Sequence, residues 1–452
     1  MTSDKNEYRV ASDAQPDART DRGPARFAAH STFLGISSFQ ILVMFRRGLF
    51  YTFLSIYLRE YLGLSITETT LFATIPMAIS ASAQALLWGR ISDRFQLRRT
   101  LIILGEVLGA AGTVGVWFAH IQPESRRVAG YAIIVGLGVT ELFWSMSNLG
   151  WAALVSDLYQ SGKRAVVQGH LASIGAMGRI IGVWIGGVLY DGLGAFYRGW
   201  GFREGTLFFV SAGAMLISTV PIFFLPEGGI GSRENPNGGG DDTGPETSRL
   251  FWIFLVGIVL VNLGKNSMSV LYGPFLSLPS GFALSSRQVG HIVNVRSIAM
   301  ILTGFCIAAL ARRFGNAKSL LLGVAAAVAG TLIFGFAGGI PVLILGNALL
   351  GCSDVVVVAA AYALVSVLIP PVRRGRLFGF YNAATFISWG LAGTLVAGPL
   401  MDSLMALGAA ERLAYKIGFA AASLVALAGF FILAWLTKRM RGVRENSGDR
   451  DA

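Results

Sequence analysis

Eight ionisable residues interrupt stretches that are otherwise apolar: Arg46, Arg47, Glu106, Glu141, Arg179, Lys265, Arg296 and Asp354. A charge at the centre of a bilayer costs about 2.5 kcal/mol or more, so such residues mark functional sites. Five of the eight are bases and three are acids, an excess that suits a negatively charged ligand. Arg47 and Lys265 are the deepest pair. Each lies about 15 residues into its apolar run, roughly 22 Å along a helix, too far for the head group to snorkel out easily. Each also heads a polar stripe at helical spacing. The stripes are Gln40, Arg47, Tyr51 and Ser55 in one run, and Asn262, Lys265, Ser269 and Tyr272 in another. A polar face in lipid must look onto a cavity or a partner. A guanidinium offers a fork of donors to phosphate or carboxylate, and an ammonium adds a point charge. Arg46 sits among Phe39, Leu42, Phe50 and Phe53, a greasier face.

The acids suggest a second chemistry. Glu141 starts a stripe with Ser145 and Asn148, flanked by Trp144 and Trp151. A carboxylate in a low-dielectric interior can change protonation with its surroundings, which suits proton coupling at Glu141 and Asp354. Static salt bridges to Arg47, Arg179 or Lys265 are the alternative. Glu106 lies about two turns inside its run and is expected to pair with a nearby basic loop. Arg179 either reaches an acid or guards a cavity. Arg296 has no basic mate in the first half, where Met77 holds the equivalent place. Asn382 and Trp389 share a run with Phe378, Tyr381, Thr385 and Phe386, residues able to line a space for an organic body. The candidate binding set is therefore Arg47, Lys265, Arg296, Arg179, Tyr51, Tyr272, Asn148, Asn382 and Trp389.

The elements that carry these residues follow from composition. The chain has 452 residues, of which 54% are hydrophobic and 14% charged, and its mean hydropathy is +0.60. Charge that sparse cannot cover a water-facing surface. Twelve apolar runs long enough to span a bilayer lie near 32–58, 67–89, 100–119, 129–155, 166–190, 205–225, 250–276, 288–310, 318–337, 341–368, 376–400 and 414–437. Residues 226–249 are rich in Gly, Pro and acid and read as a linker that cuts the chain into six and six. Residues 1–30 and 441–452 read as polar tails. With the N-terminus in the cytoplasm, 24 Lys and Arg fall on cytoplasmic segments and 8 on external loops, as the positive-inside rule requires. Both termini are then cytoplasmic, and the net charge of +12 faces lipid headgroups rather than nucleic acid. Cys306 and Cys352 lie inside apolar runs and read as two buried thiols, with no disulfide framework or metal spacing. The sequence shows no nucleotide loop and no nucleophile–base set.

The halves repeat one another. Residues 153–169 read ALVSDLYQSGKRAVVQG and residues 363–379 read ALVSVLIPPVRRGRLFG. The loop after the second run reads Gly89-Arg90-Ile91-Ser92-Asp93-Arg94-Phe95-Gln96-Leu97-Arg98-Arg99. It resembles the G-x-x-x-D-R-x-G-R-R signature of the major facilitator superfamily, with Gln96 and Leu97 where that family has Gly and a base. Asp157, Lys163, Arg164 and Gly169 fit the family's loop between spans four and five. The resemblance implies that Gly89, Asp93, Arg94, Arg98 and Arg99 latch the outward-open state. Gly89 would permit a close helix approach, Asp93 would sit near a helix N-terminus, and the arginines would hold lipid phosphates or acids on the partner half. A base in span one matched by a base in span seven is similar to the superfamily's organophosphate–phosphate exchangers. Gly175, Gly178, Gly182, Gly186 and Gly187 resemble the glycine-rich span five of its antiporters, with Val183 where a Pro is expected. Arg179 is placed on the same face as Gly175, Gly182 and Gly186.

The expected fold is all-α and polytopic: twelve transmembrane helices in two pseudo-symmetric bundles, 31–225 and 250–440. The expected protein is a monomeric secondary transporter of a plasma or bacterial inner membrane, not an enzyme, and needs no cofactor. Its partners are a small, anionic substrate, the bilayer, and protons or a counter-substrate. Broad-specificity drug efflux is the rival within transport. A non-transporting receptor or assembly factor is the rival of another class.

Overall fold

The computed structural model describes residues 22–159, 161–194, 196–228, 245–369 and 374–446. The described residues are helical and contain no strand. Helix α1 is Arg22–Ile56 and runs into a π turn at Tyr57–Tyr61. Helix α2 is Ile66–Ala83, continued by a π turn at Gln84–Trp88 and by Gly89–Phe95. Then come α3 (Arg98–Ile121), α4 (Arg126–Leu158), α5 (Ser161–Asp191), α6 (Thr206–Phe223) and α7 (Pro245–Ser277). Among the described residues, eleven helices are long and apolar enough to cross a membrane. One of them, Ser286–Gly335, has 50 residues, too many for one crossing, and breaks at Gly315 (φ 74°, ψ 161°). Only Gly takes that conformation without strain. The break yields α8 (286–314) and α9 (316–335), so the expected twelve spans are present. They end with α10 (Ile340–Leu368), α11 (Arg374–Ala392, continued by a π turn at Gly393–Ala397 and by Gly398–Ala406) and α12 (Glu411–Asn446).

Some boundaries differ from the sequence reading. Residues 22–30, expected as tail, are part of α1, and α12 runs on to Asn446. Helix α7 starts at Pro245, inside the expected linker. Residues 1–21, 229–244 and 447–452 lie outside the described residues. The thiols also differ: Cys306 is exposed and Cys352 is half-buried, because an apolar run in a bilayer has a lipid-facing side as well as a packed one.

The repeat is visible in local chemistry. Ser65 opens α2 with a capping box, accepting from the Glu68 amide at 3.1 Å while its own amide donates to Glu68 Oε2 at 2.8 Å. Ser285 opens α8 with the same device, using Gln288. On α5, Gly178, Gly182 and Gly186 form a seam against α1. A Cβ on any of the three would collide with the carbonyls of Ile41, Phe45 or Leu49, so these glycines let the two backbones touch.

Twelve crossings place the start of α1, the end of α6, the start of α7 and the end of α12 on one face, the terminal face; the opposite face is distal. At the distal face the halves share one core. Leu49, Phe53 and Tyr57 of α1 pack with Met268, Leu271 and Phe275 of α7 and with Val289, Phe334 and Phe419. Toward the terminal face the cores are separate. One holds Ile36, Phe39, Ile102, Leu154 and Ile222 of the first half, the other Phe251, Phe254, Val324, Val365 and Leu433 of the second. Polar contacts between halves repeat this asymmetry. Arg59 Nη2 meets Glu411 Oε1 at 2.6 Å, and Thr74 Oγ1 donates to the Gly390 carbonyl at 2.7 Å. Asp402 accepts the amides of Ile66 and Thr67 at 3.0 and 2.8 Å. The halves thus share a core distally and keep separate cores toward the terminal face, a wedge in which α8 still meets α5 at Gly304 and Ser173.

Candidate functional site

The buried charges lie at the apex of this wedge. Arg46 and Arg47 come just before Leu49, and Lys265 just before Met268, where the shared core begins. In the second half, Asp354 of α10 holds two bases. Arg296 Nε and Nη2 donate to its two oxygens at 2.7 and 3.1 Å, and Lys265 Nζ lies 2.9 Å from Oδ1. Lys265 is 4% exposed, so its ammonium is out of bulk water. Asp354, expected as a proton carrier, is paired here as a counter-ion. Tyr272 accepts a hydrogen bond from Asn347 Nδ2 beside this triad.

The first half is built differently. The Arg46 guanidinium stacks 3.9 Å from the centroid of the Trp144 ring, and that of Arg47 lies 5.0 Å from the same ring. The Trp144 indole is pinned from behind, donating from Nε1 to Glu106 Oε1 at 2.7 Å. Ser147 Oγ donates to the same oxygen at 2.6 Å. Glu106 is fully buried. Its expected partner, the basic loop, is replaced by these α4 groups, because α3 turns this face into the bundle. Arg46 also departs from expectation. Rather than lying on an inert greasy face, it lines a small cavity of about 10 Å³ with Tyr51, Thr113, Thr140, Glu141 and Ser211. Arg46 Nε and Nη2 and Glu141 Oε1 are buried with no hydrogen-bond partner among the described residues.

Arg179 connects the two parts. It rises from α5 at the seam, where its carbonyl packs on Gly48, and lies within electrostatic reach of Arg296, Asp354 and Arg47. Asn294 of α8 donates to the Ile180 carbonyl at 3.1 Å, holding the α5–α8 contact beside it. No ion pair is formed by Arg46, Arg47 or Arg179 among the described residues. The other expected residues are more scattered. Asn148 is half-buried, while Asn382 and Trp389 of α11 are exposed. The side chain of Phe378 lies outside the described residues.

The loop cluster sits at the terminal face. Arg98 is buried, with Nε 3.4 Å from Asp157 Oδ2 and Nη1 on Ser92 Oγ. Arg99 meets Glu227 Oε2 at 3.1 Å, and Glu227 also caps α3 by accepting the Thr100 amide at 2.9 Å. Asp157 belongs to the same half as the arginines, and Glu227 stands at the start of the expected linker. Arg94 is exposed. Among the described residues, a Cβ on Gly89 would meet Gln84 O, of the preceding π turn, at 2.8 Å. The side chain of Asp93, and those of Lys163 and Arg164, lie outside the described residues. Gln96 adopts a left-handed conformation, φ 55°, which accounts for the glycine that the resembled signature carries there.

Comparison with known proteins agrees with this architecture. The family model for the Major Facilitator Superfamily matches residues 36–277 and 254–452. A curated protein of Cupriavidus pinatubonensis (strain JMP 134 / LMG 1197), named "Probable 4-methylmuconolactone transporter", is 26% identical over 188 residues. That match spans 42% of each chain. Among solved structures, the nucleoside transporter NupG superposes with a TM-score of 0.69 at 15% identity, covering 90% of this chain and 99% of that one. A structure titled as a study of substrate recognition in proton dependent oligopeptide transporters gives 0.67 at 16%, covering 91% and 99%. A bacterial homologue of the human lysosomal transporter Spinster, inward-facing and unoccupied, gives 0.62 at 16%, covering 92% and 96%. These structural likenesses establish the fold. With both halves of the sequence matched and a paired six-helix architecture in place, the chain belongs to the Major Facilitator Superfamily.

Proposed function

We propose that this superfamily transporter moves a small organic anion by alternating access, coupled to protons at Glu141 or to exchange of a second anion. The observation that carries the reading is the unbalanced charge at the apex. Asp354 is already shared by Lys265 and Arg296, while Arg47 and Arg179 form no ion pair among the described residues. A desolvated cluster of bases attracts an anion and orients it with guanidinium forks. Its position between the halves is where either side of the membrane can reach it in turn. Lys and Arg favour the terminal face, which we therefore assign to the cytoplasm. The conformation described is then inward-facing. The cytoplasmic arginine loop acts as a latch in the opposite state, and here Arg98 and Arg99 lie against Asp157 and Glu227. Asp354 serves as a fixed counter-ion that keeps Lys265 and Arg296 charged, and Glu141 takes the proton. The named substrate of the Cupriavidus relative makes 4-methylmuconolactone a reasonable first solute to try.

The test is a thermal-shift screen of the purified protein, followed by uptake into proteoliposomes. The panel holds 4-methylmuconolactone, small carboxylates and organophosphates, uridine, a dipeptide and amphipathic dyes. Anions are expected to stabilise the protein. Arg47→Ala and Lys265→Ala are expected to lose that response and to lose uptake while remaining folded. Full activity in both variants removes the anion site. A response to dyes alone, unchanged in Arg47→Ala, supports drug efflux instead.

A further inference from the structure

The cavity inside the first half is not part of the cleft between the halves. Its walls come from α1, α3, α4 and α6, all of one bundle. Three of its polar atoms, Arg46 Nε, Arg46 Nη2 and Glu141 Oε1, are buried without hydrogen-bond partners among the described residues. The residues themselves are 5% and 4% exposed. Arg46 and Glu141 do not approach within the 4.0 Å of an ion pair. The cavity of about 10 Å³ is close to the room one water needs, and a buried water needs two to four polar partners. Those partners are present on opposite walls: donors on Arg46, an acceptor on Glu141, and hydroxyls on Thr113, Thr140 and Ser211. The Thr hydroxyls already donate to Gly109 and Gly136 carbonyls at 2.8 and 2.9 Å, which leaves them as acceptors facing the cavity.

We propose that this cavity binds one water that bridges Arg46 and Glu141, and that guanidinium, water and carboxylate form a proton-binding unit separate from the anion site. This rests on the reading of Glu141 as the coupling residue and specifies how it works. The carboxylate takes the proton of a hydronium formed at the bridging position, giving a neutral acid and a water. The charge of the unit rises by one. Arg47, on the next residue of α1, then faces a more positive neighbourhood, so protonation and anion binding favour each other, and the linkage is reciprocal. The other groups that face Glu141 are Arg47 and Tyr51 of α1, Glu106 of α3 and Ser80 of α2. Ser80 Oγ accepts in turn from Gln84 Nε2 at 3.0 Å, in the π turn of α2. Among these only Arg46 and Glu141 bring unpartnered buried atoms to the cavity.

The experiment needs no substrate. The full-length protein in lipid bilayers is titrated with acid while infrared difference spectra are recorded in ordinary water and in water labelled with oxygen-18. The expected result is a carboxylic C=O band that titrates in the wild type and is missing in Glu141→Gln, accompanied by an isotope-sensitive water band. Arg46→Gln removes one partner of the water, and Ser211→Val fills the cavity. Both are expected to erase the water band and to move the C=O midpoint by about one pH unit. Arg46→Lys restores the cation and guards against loss of fold in the neutral variant. A midpoint and water band unchanged in both Arg46→Gln and Ser211→Val overturn the proposal. A titrating band that survives in Glu141→Gln, or no titrating band in the wild type, overturns the coupling role of Glu141 itself.

Discussion

The carboxylate of Asp402, near the end of α11, accepts the backbone amide of Thr67, in the first turn of α2, at 2.8 Å. An acid from one half thus caps a helix of the other, at the positive end of its dipole. On the proposed alternating-access cycle, the contact exists only while the distal face is closed. Replacing Asp402 by Ala removes a capping interaction worth about 0.5–2 kcal/mol. That changes the ratio of the two states by about 2- to 30-fold toward the distal-open one. Distances between spin labels across the terminal face, measured in nanodiscs, should shift to the shorter population. An unchanged distribution would show that the cap does not bias the switch.

The triad in the second half makes a stability prediction of the opposite kind. Asp354→Asn leaves the ammonium of Lys265 and the guanidinium of Arg296 buried together without their acid. Breaking such a group costs about 3–5 kcal/mol, so the melting temperature should fall sharply. Adding Lys265→Met to that variant removes one stranded charge and should recover part of the loss. Strict additivity of the two changes in a double-mutant cycle would mean that the 2.9 Å contact carries no coupling energy.

Trp144 should tolerate a change of ring better than loss of the ring. Trp144→Phe keeps an aromatic face under Arg46 but frees Glu106 Oε1 of one donor. Trp144→Leu loses the cation–π contact as well, worth up to about 2 kcal/mol when desolvated. Glu106→Leu leaves the indole N–H and the Ser147 hydroxyl without an acceptor, at about 1–3 kcal/mol. The expected order of thermal stability is wild type, then Trp144→Phe, then Trp144→Leu. Equal losses in the two Trp144 variants would contradict the stacking geometry.

Gln96 offers a stabilising change. Its φ of 55° costs an L-residue about 1–2 kcal/mol relative to Gly. Gln96→Gly should raise the melting temperature, less whatever the weak 3.4 Å bond from Arg98 to Gln96 Oε1 supplies. A lower melting temperature would show that the side chain matters more than the backbone there.

The scaffold was readable from sequence because its signals are long. Twenty apolar residues in a row, a Gly- and acid-rich break at 226–249 and matching motifs in the two halves leave few alternatives. The charged residues of the site were equally visible, since each stands alone in an apolar run. Their partnerships were not. Arg46 and Arg47 are neighbours, so their side chains leave α1 roughly 100° apart. Both reach Trp144 of α4, and which of them stacks closer is decided by how the helices rotate against each other. The same rotation sends Glu106 inward to Trp144 rather than outward to the loop. The seam is a partial exception: the glycine spacing in α5 announced a close approach. But the glycines that touch α1, Gly178, Gly182 and Gly186, include one not placed on the expected face with Arg179. Gly315 gives no signal of its kink in the sequence, because a single glycine between two apolar runs carries no period.

The distal plug that both halves build from Leu49, Phe53, Leu271 and Phe275 has a calorimetric consequence. Prising it apart hydrates a block of hydrocarbon, and hydrating hydrocarbon raises heat capacity. Unless the terminal ends dehydrate an equal block when they meet, the equilibrium between the two orientations bends with temperature. Warming and cooling away from the temperature at which the two orientations have equal entropy would then favour the same orientation, and the curvature would measure how unequal the two gates are.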